Sequence, residues 1–362
     1  MPDSSKPLPV PLHGRGAASG GLSGRFDDRA RESDGDWLDA RESIDGEVPV
    51  LRTQVTLEKP RTIITRNRSP DIPFDRSINP YRGCEHGCIY CFARPTHAYH
   101  NLSPGLDFET KLFAKPEAPE LLRRELARPG YRCEPMAIGT NTDPYQPVEA
   151  RLRIMRGLLE VLAEHEHPVA ITTKSARIVR DIDILGPMAA KGLAAVMMSV
   201  TTLDPVVARR MEPRASAPAR RIAAIETMVK AGIPVSISVS PVVPAITDHE
   251  IEAIVEAGAR AGASGAFSIV VRLPHEVSPL FREWLAVHYP DRAARVMALI
   301  GDMRGGKDNE GAFFDRFRPR GAYAAALLAR FRLACRKHGL NGARFELRTD
   351  LFRAPGQQLA LF

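Results

Sequence analysis

The sequence predicts an α/β protein with a parallel sheet and helices outside it, and three observations carry that expectation. From about Val48 onward, short apolar runs rich in β-branched residues alternate with longer segments whose apolar positions recur every three or four residues. Stop and turn residues separate the two kinds of segment, as where Gly232 and Pro234 follow Lys230. The alternation repeats several times, and parallel strands need such crossovers, either in a barrel or in an open doubly wound sheet. In both architectures ligands gather at the carboxyl ends of the strands, which directs attention to the loops that follow them.

Taken in order, residues 1–47 are rich in Gly, Ser, Asp and Arg without a sustained hydrophobic period, and read as a disordered tail. Within it, the run from Gly14 to Arg25 is a flexible linker or an arm that contacts nucleic acid. Residues 48–76 form an N-terminal extension, 77–275 the core, 276–350 a helical extension and 351–362 a C-terminal tail. Strands are expected at 136–139, 169–173, 195–200, 235–239 and 267–271. Helices are expected at 148–164, 217–231 and 248–261.

No run of ~18 apolar residues suited to a bilayer exists, and the N-terminus lacks a signal pattern, so a cytoplasmic protein with no membrane partner is expected. The formal charge is +7, unevenly spread: residues 1–50 hold 6 basic and 10 acidic side chains. The remainder is therefore basic, which suits a polyanionic partner such as DNA, or reflects composition and solubility alone. Arg209, Arg210, Arg214, Arg220 and Arg221 are the densest basic cluster.

Five cysteines, three of them in one short segment, are poor material for a disulfide framework and suit metal in a reducing compartment. The segment runs from Asn79 to Arg94 and places Cys84, Cys88 and Cys91 at C-x3-C-x2-C spacing, with Gly83 and Gly87 available for tight turns. Three thiolates so close can wrap a loop around one corner of a [4Fe–4S] cubane, leaving one iron without a protein ligand. A structural zinc site completed by His86, His97 or His100 is the alternative. Cys133 and Cys335 are too few for a second cubane of the four-cysteine kind. Cys133 reads as a buried thiol or a hydrogen donor, and Cys335 as a packed residue on a helical face.

The Cys84 to Cys91 motif resembles that of radical S-adenosylmethionine enzymes, and the run from Gly139 to Glu149, GTNTDPYQPVE, resembles relatives of spore photoproduct lyase. The resemblance covers about residues 77–274 and implies a partial (β/α)6 barrel, with the cluster loop after its first strand. It implies two cofactors, a [4Fe–4S] cluster and S-adenosylmethionine, with reductive cleavage to a 5′-deoxyadenosyl radical and an electron donor such as flavodoxin or ferredoxin. Residue by residue, it places Thr142 and Asp143 at the amino end of the cofactor, Lys174 at its carboxylate and Ser199 at its methionyl or ribose part. The bland readings are a turn and helix cap for Asp143, a solvated lysine for Lys174 and a plain strand serine for Ser199.

Two departures from the lyase pattern bear on the substrate. The lyase's hydrogen-donor cysteine falls where this chain has Gly139 and Thr140, and its two tyrosines flanking the third cluster cysteine fall on Tyr90 and Phe92. Tyr90 therefore remains as the candidate catalytic phenol. The C-terminus ends Gln358-Leu359-Ala360-Leu361-Phe362, which resembles the peptide that docks bacterial repair proteins on the DNA sliding clamp. Leu361 and Phe362 would fill an apolar pocket beside Leu359 while Gln358 bonds backbone, or the tail folds back on its own barrel.

The expected function is a radical S-adenosylmethionine enzyme acting on DNA in repair or modification. The alternatives are a radical enzyme acting on RNA, protein or a metabolite, and a non-catalytic nucleic-acid-binding protein with a structural metal.

Overall fold

The computed structural model describes residues 14–17, 19–20, 52–342 and 345–354. Its ten strands are β1 (Gln54–Leu57), β2 (Ile64–Arg66), β3 (Arg76–Ile78), β4 (Tyr81–Arg82), β5 (Lys111–Ala114), β6 (Met136–Ile138), β7 (Val169–Thr173), β8 (Ala194–Ser199), β9 (Val235–Val242) and β10 (Gly265–Val270). The main sheet has the order β10-β9-β8-β7-β6-β3-β2. Every pairing from β3 to β10 is parallel, while β2 pairs antiparallel to β3 at the edge.

The crossovers explain that order. Helices Ile154–Glu164, Ile182–Ala190, Pro218–Lys230 and Ile251–Arg260 fall successively between β6, β7, β8, β9 and β10. Each returns the chain to add the next strand at the same edge, so six parallel strands follow in sequence order. The result is a partial barrel. Along β7, Val169, Ile171 and Thr173 are buried while Ala170 and Thr172 are less so, the two-residue alternation of a packed strand. Val169 and Ile171 share one core with Leu158, Leu162, Ile225 and Ile254 from the helices, each buried aliphatic contributing about 1.5–3 kcal/mol.

The five strands expected from periodicity all appear within a few residues of their expected ends. One helix differs. The 148–164 pattern is divided into Glu149–Leu152 and Ile154–Glu164, because Arg153 adopts φ +53°. The buried Glu149 carboxylate accepts from the Met155 N–H at 3.2 Å and from Arg180 at 2.8 Å, which anchors the break. The short strand β3 and the small sheet β1-β5-β4 escape sequence reading because they are too short to show a period.

A second core lies over the carboxyl ends of the strands. It joins Ile89 and Tyr90 to Val243, Phe281, Trp284 and Ile300, and so packs helices Val277–His288 and Pro290–Asp302 onto the cysteine loop. Trp284 also donates to the Arg210 carbonyl at 2.9 Å. No helix among the described residues is long and apolar enough to cross a membrane.

Candidate cluster and cofactor site

Strand β4 delivers the chain directly into the cysteine loop. Gly83 and Gly87 have φ +73° and +66°, a region that L side chains rarely adopt. A Cβ at Gly83 would also stand 2.7 Å from Leu112 Cδ2 and 2.9 Å from the Phe108 carbonyl. The loop is pinned through its backbone: Cys84 N–H donates to Phe108 O at 2.9 Å, Cys91 N–H to Cys88 O at 3.2 Å, and Ile89 N–H to Met211 O at 3.1 Å. Arg94, fully buried, donates to the Cys88 carbonyl at 2.9 Å and the Gly87 carbonyl at 3.1 Å and pairs with Glu109 at 2.5 Å.

Part of the segment expected to be flexible is built into this loop. The Gly16 and Ala17 N–H groups each donate to the Glu109 carboxylate at 2.9 Å, and Arg15 donates to the Glu109 carbonyl at 3.0 Å. A Cβ at Gly16 would fall 1.8 Å from the Gly87 carbonyl oxygen, so only glycine fits. Residues 14–17 thus form a strap on the loop rather than a free arm, held because the buried carboxylate has lone pairs beyond those Arg94 uses.

The three loop thiols are free, Cys84 and Cys88 buried and Cys91 half-buried. Burial pushes each of them up, with Asp143 adding to the shift at Cys84 and Glu212 at Cys88, while Arg94 and Lys174 pull Cys91 back. Thiolates in such a place need positive charge beside them, which cluster iron supplies. Among the described residues no three His, Cys, Asp or Glu converge on a single point as a lone zinc ion requires. A cubane takes each cysteine on a different iron and sets no such demand. The histidines proposed for zinc each lie beside another group, although His86 Nδ1 and His97 Nδ1 have no hydrogen-bond partner. His97 Nε2 lies 2.9 Å from the Lys111 carbonyl, with burial lowering the ring to about 4. His100 Nε2 meets Arg82 at 3.2 Å, and His86 Nδ1 lies 3.4 Å from Asp143. The residues fit the cluster.

Asp143 and Lys174 come together. The Asp143 carboxylate accepts from the Tyr145 N–H at 2.9 Å, the Thr173 hydroxyl at 2.7 Å and the Lys174 N–H at 2.7 Å, tying the loop after β6 to the end of β7. Thr142, also buried, donates its hydroxyl to the Tyr81 carbonyl at 3.1 Å. Lys174 Nζ reaches the Ser240 carbonyl at 3.4 Å and lies 5.7 Å from the Tyr90 ring centre. Ser199 is buried at the end of β8, where its carbonyl accepts from Arg221 at 3.1 Å.

Sequence reasoning missed Glu212, the acceptor at the centre of the site. Its carboxylate takes hydrogen bonds from Tyr90, from Thr201 at 2.6 Å and from Arg221, and lies 3.8 Å from Lys174 Nζ. Burial alone would raise this carboxyl, but Arg221 and Lys174 hold it down to about 2. Burial and the neighbouring anionic groups push the Tyr90 phenol the other way, well up. Nothing in the spacing marks an acid in the run Met211-Glu-Pro-Arg214 as a partner for a tyrosine 122 residues earlier.

Two other sequence expectations meet different outcomes. The arginine cluster is not one surface: Arg221 is buried against Glu212 and Arg214 pairs with Glu85 at 3.2 Å, leaving Arg209, Arg210 and Arg220 exposed. Gln358, Leu359, Leu361 and Phe362 lie outside the described residues.

Comparison with known proteins places this geometry. The family model of the Radical SAM superfamily matches residues 78–258. An uncharacterized protein of Mycobacterium bovis is 36% identical over 265 residues, 73% of this chain and 76% of that one, and the same figures hold for an uncharacterized protein of Mycobacterium tuberculosis. An uncharacterized protein of Methanocaldococcus jannaschii is 24% identical over 173 residues, 48% of this chain and 62% of that one. Among solved structures, spore photoproduct lyase complexed with dinucleoside spore photoproduct is similar with TM-score 0.55 at 14% identity, covering 79% of this chain and 80% of that one. A mutant of that lyase gives 0.56 at 15% identity over the same shares. At such identity the likeness is one of fold. With the three free thiols on their glycine-cradled loop at the carboxyl ends of a parallel sheet, the chain belongs to the radical S-adenosylmethionine superfamily, an enzyme family whose cofactors are a [4Fe–4S] cluster and S-adenosylmethionine.

Proposed function

We propose that this enzyme acts on DNA, in repair or modification. The observation that carries the reading is the convergence of the cysteine loop, Lys174 and the Tyr90–Glu212 pair at one end of a basic protein whose fold is that of a lyase seen with a dinucleoside. The bound cofactors supply a 5′-deoxyadenosyl radical. This chain's residues then have separate tasks. Cys84, Cys88 and Cys91 hold the cluster. Asp143 positions Lys174 by accepting its backbone N–H, and Lys174 presents a cation to the cofactor carboxylate. Thr142, in the loop after β6, and Ser199, at the end of β8, shape the cofactor pocket from either side of β7. Tyr90, oriented by Glu212, presents a phenol beside the cluster loop as the group that gives or takes a hydrogen atom.

The basic body tracks phosphates, a cytoplasmic flavodoxin or ferredoxin supplies electrons, and the peptide Gln358 to Phe362 docks on the sliding clamp. The first test is anaerobic reconstitution with iron and sulfide, followed by dithionite and S-adenosylmethionine. Product 5′-deoxyadenosine should require Cys88 and rise with DNA above its level with RNA or peptide pools. Stimulation by peptide or RNA alone would redirect the reading to another substrate. Deleting Gln358 to Phe362 should abolish clamp binding and spare cofactor cleavage, and unchanged clamp affinity would exclude that role.

A further inference from the structure

Near the carboxyl end of β10 lie two arginines, Arg272 and Arg304, that form no ion pair with an acidic side chain among the described residues. Arg304 is 6% exposed; its Nη2 donates to the Val271 carbonyl at 2.7 Å, while Nε and Nη1 have no partner. Arg272, the next residue after Val271, forms no ion pair among the described residues and is held by rings instead. Its guanidinium lies 4.5 Å from the centre of Phe317 and 5.8 Å from that of Phe92, the residue after Cys91. Arg316 continues the stack at 5.0 Å from Phe317 and 5.1 Å from Phe313, and its charge is met by Asp71 at 2.5 Å. Burial and the nearby Arg316 and Arg304 push Arg272 down to about 10, the mark of a crowded cation.

Two rings of this stack are open to solvent, Phe92 at 49% and Phe313 at 54%, and the adjoining Phe314, whose N–H donates to Asp71 at 3.0 Å, is 49% exposed. A monomer gains nothing by presenting exposed rings beside an arginine that has no ion pair, whereas a nucleic-acid strand supplies both complements. Unpaired bases have π faces for the rings, and each phosphate has a charge for the guanidinium. A duplex keeps its bases stacked on one another and offers only the second.

We propose that Arg272 and the exposed faces of Phe92, Phe313 and Phe314 form a clamp for a single-stranded or unstacked nucleotide, with Arg272 on its phosphate. Buried Arg304 adds positive potential from behind. The clamp rests on the reading of a nucleic-acid substrate and names the form in which that substrate reaches the cluster loop: with its bases already out of the stack.

The experiment uses full-length, cluster-loaded protein and a fluorescein-labelled 12-residue oligothymidine, with anisotropy read from about 50 to 200 mM salt. Arg272→Gln should weaken binding about tenfold and lower the slope of log affinity against log salt by about one. The exposed pair Phe313→Ala with Phe314→Ala should weaken it at least about tenfold with the slope unchanged, since stacking releases no counterions. Equal iron content in all proteins shows that the fold is kept. Oligonucleotide binding that neither variant weakens, or equal affinity for a duplex of the same length, would overturn the clamp and leave the DNA reading standing. Failure of the unaltered protein to bind any oligonucleotide would overturn both.

Discussion

The Tyr90 phenol donates to the Glu212 carboxylate, and Arg221 holds the other oxygen of the same group. One buried anion thus orients a phenol beside the cysteine loop and neutralises a buried guanidinium. Glu212→Ala leaves Arg221 buried and uncompensated, and should destabilise the protein by about 3–5 kcal/mol. Urea denaturation of the purified protein measures it, and a loss below about 1 kcal/mol would mean that Arg221 escapes to water.

Tyr90→Phe separates orientation from packing. The ring can still face Lys174, but the hydrogen bond to an ionised acceptor is lost, worth about 1.5–3 kcal/mol. Iron content and formation of 5′-deoxyadenosine should persist, while turnover of the true substrate should fall. Unaltered turnover would remove Tyr90 from the chemistry.

Gly83→Ala tests the cluster loop. The added Cβ meets Leu112 and the Phe108 carbonyl at under 3.0 Å, in a left-handed conformation that alanine disfavours. Reconstituted iron per chain should drop well below that of the unaltered protein. Full iron loading would show that the loop tolerates another path.

Gly16→Ala tests the strap. A Cβ 1.8 Å from the Gly87 carbonyl cannot be accommodated without displacing the segment, so its bonds to Glu109 should be lost. The expected result is faster proteolysis at residues 14–20 and quicker bleaching of the cluster in air. Identical bleaching would show that the strap does not shield the loop.

Acid should weaken the fold through His167. Its ring is buried, lies 2.8 Å from the Tyr131 hydroxyl and 3.0 Å from the Pro168 carbonyl, and burial lowers it from 6.5 to about 4. The unfolded chain therefore takes up the proton first. The resulting stability is fully present above about pH 6.5 and declines as pH falls toward 4, by roughly 1.4 kcal/mol per unit at most. Urea midpoints at pH 7.5, 6 and 5 should fall less steeply in His167→Gln, and parallel slopes would assign the acid sensitivity to other groups.

What the sequence by itself determined is local. Cysteine spacing, the glycines beside it and the two- and three-to-four-residue periods are written over short stretches, so the glycine-turned cysteine loop, five strands and the α/β class are legible in them. The broken helix at Arg153 is not, because a single left-handed residue leaves the apolar period intact. Only the tertiary structure decided the partners of charge. Glu212 meets Tyr90 across 122 residues, Glu109 meets Gly16 across 93, and Arg272 meets Phe92 while a basic run in the sequence is divided between core and surface. The physical reason is that burial, unlike periodicity, depends on chain closure: a carboxylate keeps its charge inside a protein only where distant donors have been folded around it.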